Sequence, residues 1–347
     1  MNRFSLEERP VILSVARSAK SNDPEGAGVH SAFRSFLPRV RVLLLSLLAL
    51  LTPTAHAQKP TPSPVSGQTV YSLTQQLLSV APKRYNGSPG HAAAENFIVD
   101  HFKPEAAKGD FEKDEFTANT PAGPQTLRNY IVRFPGKRDG VIVLASHYET
   151  NYPLRNIHFV GANDGACTTA LLIAIGQYLR THPPTGYSVW LVFDDGEEAV
   201  QDWNYTAYTD HTYGTRHLAA KWYADGILRK IKAFIVADMI GDKNLDILQE
   251  QGSTPWLREL LRKAAANTGH SAAISKDQGS EDDDHIPFLQ RGVPSLDVID
   301  MNYGPHTFDM PDGYHHTADD TIDKISAQSL QTSADILLEL VRLINAR

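Results

Sequence analysis

Cysteine is almost absent from this sequence: its 347 residues hold one, Cys167. That excludes an intrachain disulfide framework and a cysteine-rich zinc site. Alone, Cys167 reads as a small apolar residue buried on a helix. Clusters of Lys and Arg are missing as well, and the formal net charge is −7. A nucleic-acid binder neutralises phosphates with a basic patch, so that class is excluded. No apolar run reaches the ~20 residues that span a bilayer. What is present, 41% hydrophobic and 21% charged residues, is ordinary for a folded protein. The length suffices for one large α/β domain or two small ones.

The amino-terminal region has its own logic. Arg39 and Arg41 precede the apolar run 42–51, and Thr-Pro-Thr-Ala-His-Ala follows at 52–57. This basic, apolar, small-residue order is that of a secretory signal, with Ala55-His56-Ala57 as the cleavage site. Residues 1–33 show no apolar periodicity and stand outside such a signal, as a start codon assigned too early or an unusually long leader. No cysteine follows the run, which argues against a lipid anchor. Residues 1–57 carry seven Lys/Arg against four Asp/Glu, so cleavage would leave an acidic chain near −10. An exported protein, periplasmic or secreted, with no membrane span in its mature form is expected.

Residues 58–67 are proline-rich and read as a flexible lead-in. From Thr69, the spacing of Val70, Leu73, Leu77 and Leu78 predicts a helix. A Gly/Pro-punctuated loop at 85–90 leads to a second helix over 91–102. Short Val- and Ile-rich runs at 130–134, 141–146, 189–193, 234–239 and 295–299 read as strands. Helical stretches at 168–179, 215–227, 256–266 and 325–344 separate or follow them. Such alternation predicts a single α/β domain over 68–347, with a mixed, mostly parallel sheet flanked by helices.

Chemistry concentrates at a few acidic and histidine positions. Asp164 lies in Gly-Ala-Asn-Asp-Gly-Ala, Glu197 and Glu198 in Asp-Asp-Gly-Glu-Glu-Ala, Asp238 in Ala-Asp-Met-Ile-Gly, and His316 in His-His-Thr-Ala-Asp-Asp. Each on its own has a plain structural reading. Asp164 at the head of a helix could be an N-cap, paired acids are commonly solvated charge, and His315 leaves the choice of histidine open by one residue. Three of the acids, however, sit in or just after apolar runs, where an α/β sheet presents side chains to a cleft at its carboxyl edge. Converging carboxylates and an imidazole suit a zinc ion with three protein ligands and one open position. The spare carboxylate, Glu197, then suits a general base. Zinc-dependent acyl transfer or hydrolysis is the chemistry this pattern points to.

The chain further carries Arg84-Tyr85-Asn86-Gly87-Ser88-Pro89-Gly90, Asp114-Glu115-Phe116, Asn129-Tyr130-Ile131 and Ser146-His147-Tyr148-Glu149. Later come Trp203, Tyr213-Gly214-Thr215-Arg216-His217-Leu218-Ala219, Asp283-Asp284-His285-Ile286-Pro287-Phe288-Leu289 and Arg291-Gly292-Val293-Pro294. In order and spacing, over nearly the whole chain after the leader, this resembles the zinc-dependent glutaminyl cyclases, which share the fold of zinc aminopeptidases. The resemblance implies one zinc held by Asp164, Glu198 and His316, and an acid/base at Glu197 with Asp238 and Asp283 in a catalytic acidic network. It also implies substrate contacts from Trp203, Phe288 and His315. The chain departs from the family at His315, which stands where cyclases generally carry Trp. Asp297 stands where animal members have histidine, although bacterial-type members are similar to this chain in having aspartate.

What the resemblance implies is conversion of an amino-terminal glutamine of peptides or proteins to pyroglutamate with loss of ammonia. The rival on the same scaffold is a two-zinc aminopeptidase, in which His147 and Asp238 would hold a second ion. If the leader is cut after Ala57, the mature chain begins Gln58-Lys59-Pro60, itself a substrate of the implied activity. Intact-mass analysis is expected to show exported wild-type protein lighter by one ammonia. The Glu197→Gln variant, exported from cells with no other cyclase, is expected to be mostly uncyclised soon after export. Unmodified Gln58 on active wild-type protein would contradict the reading.

Overall fold

The structure is a computed structural model and describes residues 64–203 and 209–347. The expected leader and residues 58–63 of the proline-rich segment lie outside the described residues. Helices α1 (Gly67–Val80) and α2 (Pro89–His101) and the single turn α3 (Lys103–Ala106) lead into a hairpin of β1 (Phe111–Thr120) and β2 (Gly123–Phe134). Next come β3 (Arg138–His147), α4 (Cys167–Thr181), β4 (Tyr187–Asp194), α5 (Tyr213–Ala224), β5 (Ile231–Asp238) and β6 (Ile247–Glu250). The chain continues through α6 (Pro255–Asn267), β7 (Ile274–Gly279), α7 (Ile286–Leu289), β8 (Ser295–Ile299) and α8 (Ala327–Asn345).

The main sheet has the order β1-β2-β4-β3-β5-β8. β4, β3, β5 and β8 run parallel, and β1 and β2 join them antiparallel. From Gly140 onward every residue of β3 is buried, which is why its sequence is a continuous apolar run and not an alternating one. Strand geometry still sorts the side chains. Ile142 and Leu144 enter the larger core with α1, α4 and α8, while Val141, Val143 and Ala145 face Leu218, Ala219 and Trp222 of α5. The sheet is therefore a three-layer sandwich. From β3 the chain goes to one side for β4 and returns to the other for β5, and a crevice forms at such a switch point.

The five strand expectations correspond to the second half of β2 and to β3, β4, β5 and β8. β1, the start of β2 and the small parallel pair β6–β7 went unsignalled. β1 reads Phe-Glu-Lys-Asp-Glu-Phe-Thr-Ala-Asn-Thr, a polar edge strand held by its ladder to β2 rather than by burial. Ser88 caps α2 by accepting from the His91 N–H at 2.9 Å, with Pro89 in the first turn. The expected flexible lead-in ends before residue 67, because Val65 and Gly67 are buried against α8. Gln331 accepts from the Gly67 N–H at 2.8 Å and donates to the Val65 carbonyl at 3.0 Å. A Cβ on Gly67 would stand 2.0 Å from the Ala327 carbonyl oxygen, so the close approach requires glycine.

One buried side chain ties the loop after β3 to the body. Arg84 is fully buried, and its guanidinium donates to the carbonyls of Tyr148 (2.8 Å), Val160 (2.8 Å), Gly161 (3.0 Å) and Ala81 (3.3 Å). Burial pulls its pKa down to about 10, against the opposing pull of Asp164, Asp320 and Glu149, so it stays charged at neutral pH. Lysine carries a point charge and lacks this planar fork. Arg84→Lys is expected to cost about 2 kcal/mol and Arg84→Met about 3 kcal/mol or more. Both are measured as a lower urea midpoint at unchanged slope.

Candidate functional site

The parallel strands end on one edge, and their last residues begin the site. His147 ends β3, Asp194 ends β4 and Asp238 ends β5. Asp164 sits in a wide turn, Ala162–Ala166, whose dihedrals break helical form at Asp164 and at Gly165 (φ 88°). The capping alternative for Asp164 is thereby removed: α4 starts after it at Cys167, with no side-chain cap. Glu197 and Glu198 follow β4 on a short loop. His316 arrives from the loop before α8 with φ 54°, a left-handed value that costs a non-glycine residue on the order of 1–3 kcal/mol. Met239 (φ 51°) and Thr212 (φ 49°) share that conformation. Met239 lines the cavity, and the Thr212 N–H donates to the Glu197 carbonyl at 2.7 Å. Strain among non-glycine residues thus gathers at the site.

Two donor sets meet at Asp164. On one side His316 Nε2 lies 3.1 Å from Glu198 Oε2 and 3.4 Å from Asp164 Oδ2. On the other, His147 Nε2 lies 3.2 Å from Asp164 Oδ1 and 3.3 Å from Asp238 Oδ1. Ligand atoms around a tetrahedral zinc with bonds of about 2.0–2.2 Å stand roughly 3.4 Å apart. Asp164 Oδ2 is buried and without a hydrogen-bond partner. Asp164 belongs to two groups whose ligand atoms all lie within 4.8 Å of one another, one with His315 and His316 and one with His147 and Asp238, and Glu198 adjoins the first through His316. Both short contacts are made by His316, while the His315 ring, tilted 32° to it with centroids 3.8 Å apart, lines the cavity and falls in the same group of ligand atoms as Asp164 and His316.

Burial sets the electrostatics. Glu197, Asp283, Asp297 and Asp194 are all pushed well above the usual carboxylate range by burial, with neighbouring acids adding to it. For Glu197, Glu198 and Asp283 raise the value further while His147 opposes. Glu149 is pushed up to about 7, again by burial first. Burial would lower the His316 pKa, but Glu198 and Asp164 outweigh it and raise it to about 9. The same contest raises His147, through Asp164 and Asp238.

A cavity of about 700 Å³ opens over these groups, lined by Asp164, Glu197, Glu198, Asp238, Asp283, His315 and His316. Trp203 lines it too, stacked on His211 at 4.3 Å. Two expected site residues do not line it: His147, buried against Asp164 and Asp238, and Phe288. Phe288 is fully buried, stacked on Phe234 at 3.8 Å and edge-on to Trp222. The four-residue turn α7 puts Ile286 and Gln290 on the cavity and Phe288 on the opposite side against the sheet.

Several residues of the site lacked a signal of their own. Asn151 donates to Glu198 Oε2 at 2.7 Å, and Glu149 accepts the Glu198 N–H at 3.1 Å. Asp320 accepts from the N–H groups of Asn163 (2.8 Å) and Asp164 (3.1 Å), with Tyr303 donating at 2.6 Å. It closes the motif that begins at His315, so one carboxylate positions the turn bearing Asp164 from the loop bearing His316. The short separation of Asp320 from His316 was the available clue; Asn151 had none.

Fold and site together define an α/β enzyme of the metallopeptidase type. Residues 129–341 match the family model described as peptidase family M28. The glutaminyl-peptide cyclotransferase-like protein of Bos taurus is 30% identical over 282 residues, covering 73% of this chain and 70% of that protein. Among solved structures, an Acidobacteriales bacterium glutaminyl cyclase is 65% identical with a TM-score of 0.81, covering 84% of this chain and 98% of that one. A zinc-dependent exopeptidase from Parabacteroides distasonis, 22% identical with a TM-score of 0.69 over 83% of this chain and 100% of that one, shares the fold. The chain belongs to peptidase family M28, on its glutaminyl cyclase side.

The hydrogen bond from Asn151 orients Glu198 toward the donor set. Asn151→Ala is expected to weaken metal affinity about 10–100-fold, the usual effect of removing a ligand's supporting partner. Competition with a chromogenic chelator measures it; unchanged affinity would show that Glu198 is oriented without Asn151.

Proposed function

We infer that this chain is a zinc-dependent glutaminyl-peptide cyclotransferase, acting on peptides or proteins that begin with glutamine. One observation carries the reading: Glu197, only 7% exposed, lines the same cavity as the Asp164–Glu198–His316 donor set, with Asp238 and Asp283 beside it. Those three donors would hold the zinc, which when bound polarises the substrate's γ-carbonyl oxygen. The substrate's own α-amine attacks the γ-carbonyl carbon, so a C–N bond forms in a five-membered ring. Glu197 takes the amine's proton and returns it to the departing amide nitrogen, which leaves as ammonia. A carboxyl held high by burial and neighbouring acids suits both halves of that transfer. Asp238 and Asp283 keep Glu197 in that acidic network. Trp203 and His315, which both line the cavity, supply flat walls for the folded glutamine side chain, and folding the side chain toward the amine gives the proximity advantage of an intramolecular reaction.

The leader supports export to the periplasm or beyond. Among the described residues no helix is long and apolar enough to cross a membrane.

The convergence of His147 and Asp238 on Asp164 favours a second reading, a two-metal aminopeptidase. A Gln-Phe dipeptide separates the two. Loss of ammonia with the peptide bond intact marks cyclisation; gain of water and two fragments marks peptidase action. Glu197→Gln is expected to lower turnover by about 10²–10⁴ while retaining metal. Full activity with one zinc per chain fits the cyclase, whereas two indispensable equivalents would overturn it.

A further inference from the structure

Glu197 and Glu198 lie on a loop that leaves the sheet after β4. The β2–β4 ladder ends where Tyr130 faces Phe193, and the β3–β4 ladder one residue later, where His147 faces Asp194. From Asp195 on, hydrogen bonds outside the sheet hold the chain. Asp195 is fully buried, and its Oδ2 accepts from the Arg128 N–H at 2.7 Å. Its own N–H donates to Asn129 Oδ1 at 3.1 Å. The turn that follows is tight: Gly196 has φ 77°, and a Cβ there would stand 2.7 Å from Leu127 Cδ1. A shift at Asp195 therefore passes directly to Glu197, whose side chain lines the cavity.

The other oxygen of Asp195 faces His91 of α2. His91 Nε2 lies 2.9 Å from Asp195 Oδ1, and the imidazole is 3% exposed. The ring stacks on Tyr148, with centroids 5.4 Å apart and planes 14° apart. Tyr148 is anchored in turn, its hydroxyl donating to the Arg128 carbonyl at 3.0 Å. His91 Nδ1 is 3.8 Å from Glu95 Oε1, too far for a hydrogen bond. The ring therefore spends its hydrogen bond on Asp195. His91, Glu95 and Asp195 also bring ligand atoms within 4.8 Å of one another. Both carboxylates are already engaged, Asp195 as described and Glu95 by the Arg128 guanidinium at 3.0 Å, so this group is a hydrogen-bonded tie and not a metal site.

We propose that His91 is a positioning residue for the proton transfer: from α2 it fixes Asp195, and through that carboxylate the loop that presents Glu197 to the substrate amine. The proposal rests on the cyclase reading and adds to it a residue outside the cavity. Proton transfer is sensitive to small displacements of the base, so loosening this tie lowers rate without lowering substrate affinity. Glu198 keeps its separate ties to Asn151 and Glu149, so the metal stays.

The test compares His91→Phe, which keeps a ring against Tyr148 but donates nothing to Asp195, with His91→Gln, whose amide replaces the Nε2 donor. Each is assayed by mass as the zinc-loaded full chain on a Gln-Phe dipeptide, with turnover expressed per bound zinc. His91→Phe is expected to lower kcat about 10–100-fold at unchanged KM, and His91→Gln to recover most of the loss. Where Phe at this position does not fold, His91→Asn, whose shorter amide does not reach Asp195, takes its place. A purely structural role would lower the urea midpoint and leave kcat per zinc at the wild-type value; that result would overturn the proposal. Equal loss of kcat in His91→Gln and His91→Phe would overturn it too. Peptide cleavage by the wild type in place of ammonia loss would overturn the cyclase reading, while the ratio of rates among the variants would still decide the role of His91.

Discussion

Carboxylates gathered in a protein interior repel one another and forgo hydration, and this protein is organised around managing that cost. Glu149, Asp164, Asp194, Glu197, Glu198, Asp238, Asp283, Asp284 and Asp297 are each at most 7% exposed within one region. Such a cluster folds only if its charge is neutralised, shared or solvated by the backbone. All three devices are visible. His147 and His316 supply positive charge between pairs of acids. Backbone N–H groups serve Glu149 and Asp320. Protons held at raised pKa remove charge from Asp194, Asp283 and Asp297. A divalent metal at the Asp164 carboxylate would relieve the remainder, which would link metal binding to stability.

The scaffold makes that concentration affordable by fixing its members on rigid elements. Four parallel strands buried on both faces end at the cluster, and their ladders set the positions of His147, Asp194 and Asp238. Loops carry the rest, and two buried side chains clamp the loops. Arg84 gathers carbonyls on either side of the segment 148–161. Asp320 gathers the N–H groups that open the Asp164 turn. With both ends of that loop held, Asp164 can take its non-helical conformation and His316 its left-handed one.

The same arrangement separates a general M28 scaffold from a particular chemistry. The His147–Asp164–Asp238 geometry is compatible with a second metal, so ligand identity alone does not choose between water-driven hydrolysis and cyclisation. Under the proposed reading, the choice lies in what surrounds Glu197. The loop bearing Trp203 is held by Asp210, which accepts from the N–H groups of Val200, Gln201 and Asp202 at 3.2, 2.7 and 3.0 Å. Trp203 itself is braced on His211. Under the proposed cyclase reading, an aromatic wall beside a buried carboxyl would favour a folded side chain over an extended peptide.

Much of this was legible before any fold was known. Continuous apolar runs announce strands buried on both faces, and an acid at the end of such a run has few places to be other than the sheet's carboxyl edge. That reasoning reaches Asp164, Glu197, Glu198, Asp238 and His316, because the strand or turn leading to each leaves a local pattern. It does not reach β1, whose residues are polar and whose order comes from pairing with β2. Nor does it reach Asn151 or the clamp made by Asp320, whose roles depend on partners 47 and more than 150 residues away. Phe288 shows the converse: its segment belongs to the site, but a single turn of helix rotates the ring into the core. Sequence determined the residue types, the strands and the edge at which chemistry occurs. Only tertiary structure decided which face each side chain takes and which segments meet around Asp164, because those depend on distances between segments that no local pattern encodes.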